Sequence, residues 1–344
     1  MEYRKLARTD LEISIIGLGT MTWGCQNTQD EGFEQMDYAI ERGINFFDTA
    51  EMYAIPPSAE TFGTTEEIIG NWFATRQSRD KVILASKISG PANWIRGGDI
   101  INHKNLRLAL EGSLKRLQTD YIDLYQLHWP NRGSYHFGKT WGYAPILDAQ
   151  IEIDNFLDVL TTLQAFIDEG KIRYFGLSNE TAWGMSKWLQ LAEQHDLPRA
   201  QSIQNEYSLL CRHFEPDLSE ISLNENVNLL AWSPLTRGMI SGKYLNGARP
   251  KGTRLSIETR VEHRVHIMTD KAIERYIELA KQHGLDTCQM AIAFVNSRPF
   301  TCSTLIGATK MEQLITDIDA NELKLSGEVL DGIEAIHRMI PSPF

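Results

Sequence analysis

The sequence has few cysteines and lacks long apolar runs. Its four cysteines, Cys25, Cys211, Cys288 and Cys302, lie far apart and form no C-x-x-C pair. This spacing excludes a disulfide framework and a cysteine-based zinc site, and it is typical of a reduced cytoplasmic protein. No segment approaches about 18 consecutive apolar residues, and the N-terminus has no uninterrupted apolar stretch of the kind found in signal peptides. We therefore expect a cytoplasmic location and no membrane partner.

The sequence also has fewer basic than acidic residues. The 34 Lys and Arg residues are outnumbered by 45 Asp and Glu residues, which gives a net charge of -11. Such a chain repels a phosphate backbone, so we expect no nucleic-acid partner. The histidines show neither H-x-H nor H-E-x-x-H spacing, and we therefore expect no metal ion.

What the sequence does contain is an alternation of short apolar runs and longer amphipathic segments. Eight runs are typical of buried strands: SIIGLGT (14–20), INFFDTA (44–50), KVILASK (81–87), YIDLYQLH (121–128), KIRYFGLSN (171–179), SIQNEYS (202–208), NLLAWSP (228–234) and STLIGAT (303–309). The segments between them have helical spacing, and several end in a glycine suited to a helix C-terminus. This pattern predicts a parallel sheet of the α/β class. Eight units favour a closed (β/α)8 TIM barrel in a single domain, residues 1–344.

An open dinucleotide-binding sheet is the alternative fold, and the length also allows two smaller domains. The first strand leads into GLGTMTWG (17–24), which lacks the third glycine of G-x-G-x-x-G, so the barrel is favoured. Residues 2–14 predict a β-hairpin that caps the N-terminal end of the barrel. Two insertions, 54–65 and 131–150, predict long loops at the C-terminal face, where barrels carry their chemistry.

Four ionisable side chains fall at the C-terminal ends of three consecutive predicted strands. Asp48 ends the second strand, and Tyr53 follows it; Lys87 and His128 end the next two. Each alone also fits a structural role, but packing gives no reason for all four together. The ammonium of Lys87 would lower the pKa of Tyr53 by at most about 3 units, since burial of the phenolate and the charge of Asp48 both oppose the drop. Tyr53 would then titrate nearer the working pH.

This combination predicts acid–base chemistry on a carbonyl group. Tyr53 would be the general acid, supported by Lys87 and Asp48. His128 would donate a hydrogen bond to the substrate oxygen as negative charge develops there. Because a proton donor alone reduces nothing, a bound cofactor must supply the hydride.

The surrounding residues resemble the aldo-keto reductase family over nearly the whole chain. The matching stretches are GLGTMTWG, DTAEMY, ASK, RLQTDYIDLYQLHWP, GKIRYFGLSN, QNEYS, AWSPL followed by GMISGKY, and LIGATKMEQL. The Pro-Pro insertion after AEMY, the HWP stretch and NEYSLL are most similar to the Tas-type bacterial branch. The resemblance implies NADPH (NADP) as the cofactor and reduction of aldehydes or ketones by hydride transfer. It places the family's catalytic residues on Asp48, Tyr53, Lys87 and His128.

The resemblance also implies a cofactor site. Ser178, Asn179 and Gln204 would contact the nicotinamide carboxamide, and Trp232 would stack on the nicotinamide ring. The other implied cofactor positions are Gly19, Thr20, Met21, Asp48, Ser233, Pro234, Leu235, Gly238, Lys243, Arg254, Gly307, Thr309, Gln313 and Asp317. We expect the loops after strands 7 and 8 to meet the phosphates, partly through backbone amides.

At the nucleotide end of this implied site, some residues match the family pattern and others depart from it. Arg254 and Lys310 are candidates for the 2′-phosphate, which suggests NADP. Thr316 and Asp317 stand where many family members carry Glu and Asn, so the adenine end departs from the family pattern.

Three tryptophans, Trp23, Trp94 and Trp129, predict an apolar pocket for a small carbonyl substrate, which the aromatic loop 131–150 could close. The alternative function is an NADPH-binding regulatory or redox-sensing subunit, because potassium channel β subunits have a barrel that resembles this one. An isomerase barrel for phosphate substrates is a third possibility, but it would give Trp232 and Gln204 no role.

Overall fold

Parallel strands close on themselves to form a barrel. The structure is a computed structural model that describes residues 1–144 and 148–344. Within them the strand order is β10-β3-β4-β5-β6-β7-β8-β9, closed into a ring. The strands are β3 (Ile16–Gly19), β4 (Phe46–Asp48), β5 (Ile83–Ile88), β6 (Ile122–Leu127), β7 (Ile172–Ser178), β8 (Ser202–Glu206), β9 (Asn228–Trp232) and β10 (Thr301–Ile306). Each predicted apolar run supplies one strand, so the barrel prediction is confirmed.

An antiparallel hairpin closes the N-terminal end of the barrel, as predicted. It consists of β1 (Tyr3–Lys5) and β2 (Glu12–Ser14). Leu6, Leu11 and Ile13 are almost completely buried and pack with barrel residues such as Phe46. This apolar plug leaves the C-terminal end of the barrel as the open one.

Helices surround the strands. They are α1 (Gln29–Glu41), α2 (Thr64–Arg76), α3 (His103–Leu117), α4 (Ala149–Asp168), α5 (Ala182–Gln194), α6 (Asp217–Glu225), α7 (Arg254–Ile257), α8 (Ile267–Gln282), α9 (Thr287–Asn296), α10 (Met311–Asp319) and α11 (Gly327–Met339). Several begin at a capping side chain; Thr28 and Glu31 form a capping box on α1. Their apolar faces pack against the strands in one continuous core. Among the described helices, none combines the length and apolarity needed to cross a membrane.

Long loops gather at the open end of the barrel. Residues 49–63 follow β4 and residues 128–144 follow β6, much as predicted, although residues 145–147 of the predicted loop lie outside the described part. A third long connection, residues 233–266, follows β9 and carries the short helix α7. The three loops border one mouth, because the carboxyl ends of parallel strands lie at the same end of a barrel.

Candidate active site

A buried lysine–aspartate pair forms the floor of the barrel mouth. The Nζ atom of Lys87 lies 2.7 Å from Oδ2 of Asp48 and 2.7 Å from the backbone oxygen of Thr49. Lys87 is fully buried and Asp48 is 3% exposed. The two residues belong to the adjacent strands β5 and β4, whose register brings their ends together. The sequence prediction that they meet therefore agrees with the geometry.

Two glutamines complete the hydrogen bonding of this pair. The Oδ1 atom of Asp48 accepts from Nε2 of Gln126 at 3.1 Å and from Nε2 of Gln204 at 2.8 Å. A buried ion pair is stable only when its remaining hydrogen-bonding positions are filled, and the two amides fill them. Sequence reasoning missed Gln126, although it stands opposite Lys87 in the register of β5 and β6.

Tyr53 lies directly above the lysine. The Nζ atom of Lys87 is 5.1 Å from the centroid of the Tyr53 ring. Loss of water around the phenol raises the Tyr53 pKa above its usual value; the Lys87 ammonium opposes the rise and the Asp48 charge adds to it. We predicted a lowered pKa, and for the ligand-free protein that prediction is wrong, because desolvation outweighs the lysine. Tyr53 is therefore protonated at neutral pH and can donate.

His128 stands beside the phenol. Its ring centroid lies 5.8 Å from that of Tyr53, with the rings nearly perpendicular. Burial, reinforced by the positive charge of Lys87, holds the His128 pKa well below its usual value. The imidazole is therefore neutral at physiological pH and carries one N–H donor. Its Nδ1 atom is buried without a hydrogen-bond partner among the described residues.

A second charged pair ties the loop after β4 to the loop after β5. Arg96 donates to both carboxylate oxygens of Glu51, at 2.9 and 2.8 Å. Glu51 precedes Tyr53 by two residues, and Arg96 follows Trp94 by two. The pair thus holds the loop of the phenol against the loop of a predicted substrate-pocket tryptophan. Neither residue was singled out from the sequence, since a salt bridge between two loops has no sequence signature.

Apolar side chains line the mouth next to Tyr53. Trp94 and Trp129 pack with the small cluster around Met52, together with Met21. The ring of Phe137 lies 6.2 Å from that of Trp129 and 6.2 Å from that of Trp232, centroid to centroid. The loop after β6 therefore reaches over the mouth through Phe137. In contrast, Trp141 of the same loop is 72% exposed.

Trp23 does not belong to this wall. It is fully buried in the main core, and its Nε1 atom donates to Oε1 of Gln35 on α1 at 3.0 Å. A Cβ atom at Gly32 would lie 3.2 Å from the Trp23 ring, so glycine allows the helix to approach the ring closely. The prediction that Trp23 lines the substrate pocket is wrong, because the residue turns outward under the helix and presents no surface to the mouth.

Two residues of the predicted nicotinamide site have a buried polar atom without a partner among the described residues: an acceptor on Asn179 and a donor on Trp232. The Nδ2 atom of Asn179 donates to the backbone oxygen of His128 at 2.8 Å, while its Oδ1 atom is buried without a partner. The Oγ atom of Ser178 donates to the backbone oxygen of Gln204 at 2.8 Å. The Nε1 atom of Trp232 is likewise buried without a partner among the described residues. These orphaned atoms fit a ligand that brings both donors and acceptors, as a nicotinamide does.

The first and last barrel strands approach closely at two predicted cofactor positions. A Cβ atom at Gly19 would lie 2.9 Å from the backbone oxygen of Ile306, and one at Gly307 would lie 3.0 Å from that of Gly19. Thr20 is buried, and its Oγ1 donates to the backbone oxygen of Asp48 at 3.0 Å. Thr20 thus holds the end of β4 in place.

The predicted adenine end contains a buried carboxyl group and an exposed lysine that do not form an ion pair with each other. The backbone N–H of Thr309 donates to Oε1 of Gln313 at 3.3 Å, so Gln313 folds back on the turn before α10. Burial first, and the charge of Asp286 second, raise the pKa of Asp317 to about 7, against the opposing charge of Lys243. Lys310 is exposed. The departure noted at Asp317 is thus a buried carboxyl group whose pKa is well above the usual value for an aspartate.

Three backbone amides in the loop after β9 are not free to act as the donors that we expected. The N–H groups of Thr236 and Gly238 donate to the backbone oxygens of Ser233 and Leu235, at 2.8 and 2.9 Å. The N–H of Arg237 donates to Oγ of Ser233 at 2.9 Å. In this part of the loop the three amides are therefore occupied, and the prediction of amide donors is wrong for them.

The sequence that forms this site is similar to those of known proteins. The chain matches the model of the Aldo/keto reductase family over residues 15–338. It is 49% identical over 347 residues to Protein tas of Escherichia coli (strain K12), covering 100% of this chain and 99% of that protein. It is 33% identical over 351 residues to the Uncharacterized oxidoreductase YrpG of Bacillus subtilis (strain 168), covering 100% and 97%. A probable voltage-gated potassium channel subunit beta of Oryza sativa subsp. japonica is 28% identical over 352 residues, covering 99% and 98%. The likeness spans the whole barrel.

Proposed function

The chain belongs to the aldo/keto reductase family of oxidoreductases, and from this premise we propose that it reduces aldehydes or ketones to alcohols with NADPH. The observation that carries the proposal is the buried Lys87–Asp48 pair beneath the protonated Tyr53. A reduced nicotinamide, when bound, supplies the hydride that these side chains lack. The substrate is a small carbonyl compound, and the expected compartment is the cytoplasm, in keeping with the four free thiols.

Each side chain of the floor has one task in this proposal. Tyr53 donates the proton of its hydroxyl group to the carbonyl oxygen. Lys87 stabilises the phenolate that remains, and Asp48 holds the ammonium in place. His128 is neutral, so its N–H can orient the carbonyl oxygen without competing as an acid.

The residues around the floor support a nicotinamide cofactor. The orphaned Oδ1 atom of Asn179 is an acceptor for a carboxamide NH2 group, and Trp232 offers a ring face at the end of β9. The preference for NADP rests on Arg254 and Lys310, the candidates for the 2′-phosphate, and Arg254 also donates to Glu258. Asp317 opposes a negatively charged nucleotide when it is ionised, so the preference for NADP over NAD should weaken as the pH rises above about 7.

Fluorescence and absorbance measurements test the proposal directly. Intrinsic tryptophan fluorescence is followed while NADPH or NADH is added, and 4-nitrobenzaldehyde is then added while reduced-nicotinamide absorbance is recorded. We expect quenching by NADPH at lower concentration than by NADH, followed by steady turnover. Absence of binding by both nucleotides would refute the proposal.

The channel-subunit relatives favour a second candidate function. Relatives named as probable potassium channel β subunits cover almost the whole chain at 28% identity. A regulatory subunit on this barrel would bind NADPH as a sensor. It would turn over once or very slowly and would release the cofactor poorly. Tight binding without multiple turnovers would therefore shift the assignment to the sensor.

A further inference from the structure

A buried ion pair between Arg132 and Glu180 holds the start of the loop after β6. Both carboxylate oxygens of Glu180, which lies between β7 and α5, accept from the guanidinium, with Nη1 3.2 Å from Oε2. The two side chains are only 4% and 3% exposed. The guanidinium also lies 5.0 Å from the centroid of the Trp183 ring on α5, whereas the carboxylate of Glu152 on α4 is farther away, at 3.8 Å. The pair therefore fastens the loop to the beginning of α5.

The backbone of Glu180 holds the same loop at a second point. The Nε2 atom of His136 lies 3.2 Å from the backbone oxygen of Glu180. A carbonyl oxygen only accepts, so the imidazole donates through Nε2. Glu180 is thus a common anchor: its side chain holds the loop at Arg132, and its backbone holds it at His136.

Helix α5 leaves room for the ion pair. A Cβ atom at Gly184 would lie 2.2 Å from Nη2 of Arg132 and 2.2 Å from Oε1 of Glu180, so no side chain fits there. Glycine is among the poorest helix-forming residues. Its presence in the first turn of α5 is explained by the space that the ion pair occupies.

The anchored segment leads directly into the aromatic wall of the mouth. Phe137 follows the second anchor, and its ring lies 6.2 Å from those of Trp129 and Trp232, centroid to centroid. Its φ of 60° is in the left-handed region, which a bulky residue adopts only where its surroundings hold it. On the other side, Asn179 of the predicted carboxamide site directly precedes Glu180. The anchor therefore joins the wall of the substrate pocket to the predicted cofactor site.

We propose that Arg132 is a positioning residue, which fixes Phe137 through Glu180 and so sets the affinity of the mouth for an aromatic carbonyl substrate. Its guanidinium is engaged by the carboxylate and packs against α5, so its effect reaches the substrate through the loop. The inference deepens the proposed function and rests on it for the nature of the substrate. The anchoring itself can be measured without substrate or cofactor.

Limited digestion with trypsin tests the anchoring. Lys139 is exposed and lies two residues beyond Phe137. Arg132→Gln should speed cleavage after Lys139 about tenfold or more, because loss of a charged hydrogen bond favours local opening of the loop. Mass spectrometry of the fragments identifies this cleavage. Equal rates in wild type and Arg132→Gln would overturn the inference.

Arg79→Gln is the matched control. Arg79 donates to the buried Asp123 at 2.8 Å, at the opposite end of the barrel, so its variant also breaks a buried ion pair. Cleavage after Lys139 should stay within about twofold of wild type in this variant, since its loss of stability does not open the loop. A rate raised as much as in Arg132→Gln would show that the effect is a general loss of stability, contrary to the proposal.

Steady-state kinetics with NADPH and 4-nitrobenzaldehyde test the effect on the substrate. Arg132→Gln should raise KM about tenfold or more and leave kcat and the NADPH Kd within about threefold of wild type, because it weakens binding and not the chemical step. Arg132→Lys should recover part of the affinity. If Arg132→Gln does not fold, the double variant Arg132→Gln/Glu180→Gln takes its place, because it leaves no unpaired carboxylate at Glu180.

A double-mutant cycle tests whether the effect passes through Phe137. Starting from Phe137→Ala, the further substitution Arg132→Gln should raise KM by less than about twofold, because the ring that it positions is already absent. A full tenfold rise in that background would contradict the proposal.

Failure of the proposed function would look different. Wild-type protein that does not turn over would refute the reductase assignment, and trypsin digestion would then decide the inference alone: faster cleavage in Arg132→Gln would support the anchor. Turnover by wild type with an unchanged KM in Arg132→Gln would overturn the inference and leave the proposed function intact.

Discussion

In the floor of the mouth the buried charges are paired with each other, whereas in the loop after β9 one partly buried arginine lacks a salt-bridge partner among the described residues. In the floor, Lys87 and Asp48 neutralise each other, and glutamine amides fill the remaining positions. In the loop, Arg237 remains unpaired while its neighbours Arg254 and Arg264 are matched. The strands supply a complete constellation before any ligand arrives, because their register places each partner. The loop after β9 supplies no hydrogen-bonded carboxylate to Arg237 among the described residues; the charges of Glu206 and Glu258 act on it without such a contact.

The largest expected effect is a loss of catalytic rate, with cofactor affinity unchanged, on replacing Tyr53 in the floor. Tyr53→Phe should lower kcat by about 10²- to 10⁴-fold, because the general acid is lost. The NADPH Kd should stay within about twofold of wild type, because the phenol donates a proton and does not hold the cofactor. Tyr3→Phe, at the opposite end of the barrel, is the control. Retained activity in Tyr53→Phe, or loss of NADPH binding, would contradict the assignment.

The next effect concerns stability. Lys87→Met leaves Asp48 buried and unpaired, so the free energy of unfolding should fall by about 3–5 kcal/mol. Arg76→Met breaks the exposed pair with Asp37 and should cost no more than about 1 kcal/mol. Urea denaturation of both variants checks the difference. Similar losses in the two would mean that the floor is not the self-contained unit described above.

Acid pH should lower the stability of the folded protein, because His128 is buried in the neutral form. Its pKa is lowered in the folded protein, so the unfolded chain binds a proton that the folded chain does not. Stability is therefore lost as the pH falls below about 6.5, the usual pKa of a histidine in an unfolded chain. His128→Gln should lose correspondingly less stability between pH 7 and pH 5 in urea denaturation. An unchanged pH dependence would show that the folded imidazole is protonated.

The smallest effect is expected in the loop after β9, where a substitution should raise the free energy of unfolding instead of lowering it. Arg237→Gln removes an uncompensated cation, so the ligand-free protein should become more stable by about 1 kcal/mol. NADPH should reverse the order, since wild type would gain more from the ligand. Thermal melts with and without NADPH measure both values. A ligand-free variant less stable than wild type would mean that Arg237 has a structural role.

Much of the site could be predicted from the sequence, and the errors have physical causes. Asp48, Lys87 and His128 were found because ionisable residues at the ends of buried strands are unusual and because strand ends converge in a barrel. Trp23 was misplaced, since a tryptophan in a loop gives no indication of which face it packs against. Gln126 was missed, because a glutamine within a strand has no pattern of its own.

The sequence alone determined the order of strands and helices, the hairpin cap and the clustering of the four catalytic candidates, because these follow from apolar periodicity and the geometry of parallel strands. Only the tertiary structure decided which charges are matched. It showed that burial outweighs Lys87 at Tyr53, and that Arg237 is left without a carboxylate. Such outcomes depend on desolvation and on neighbours from distant segments, and both arise only when the chain is folded.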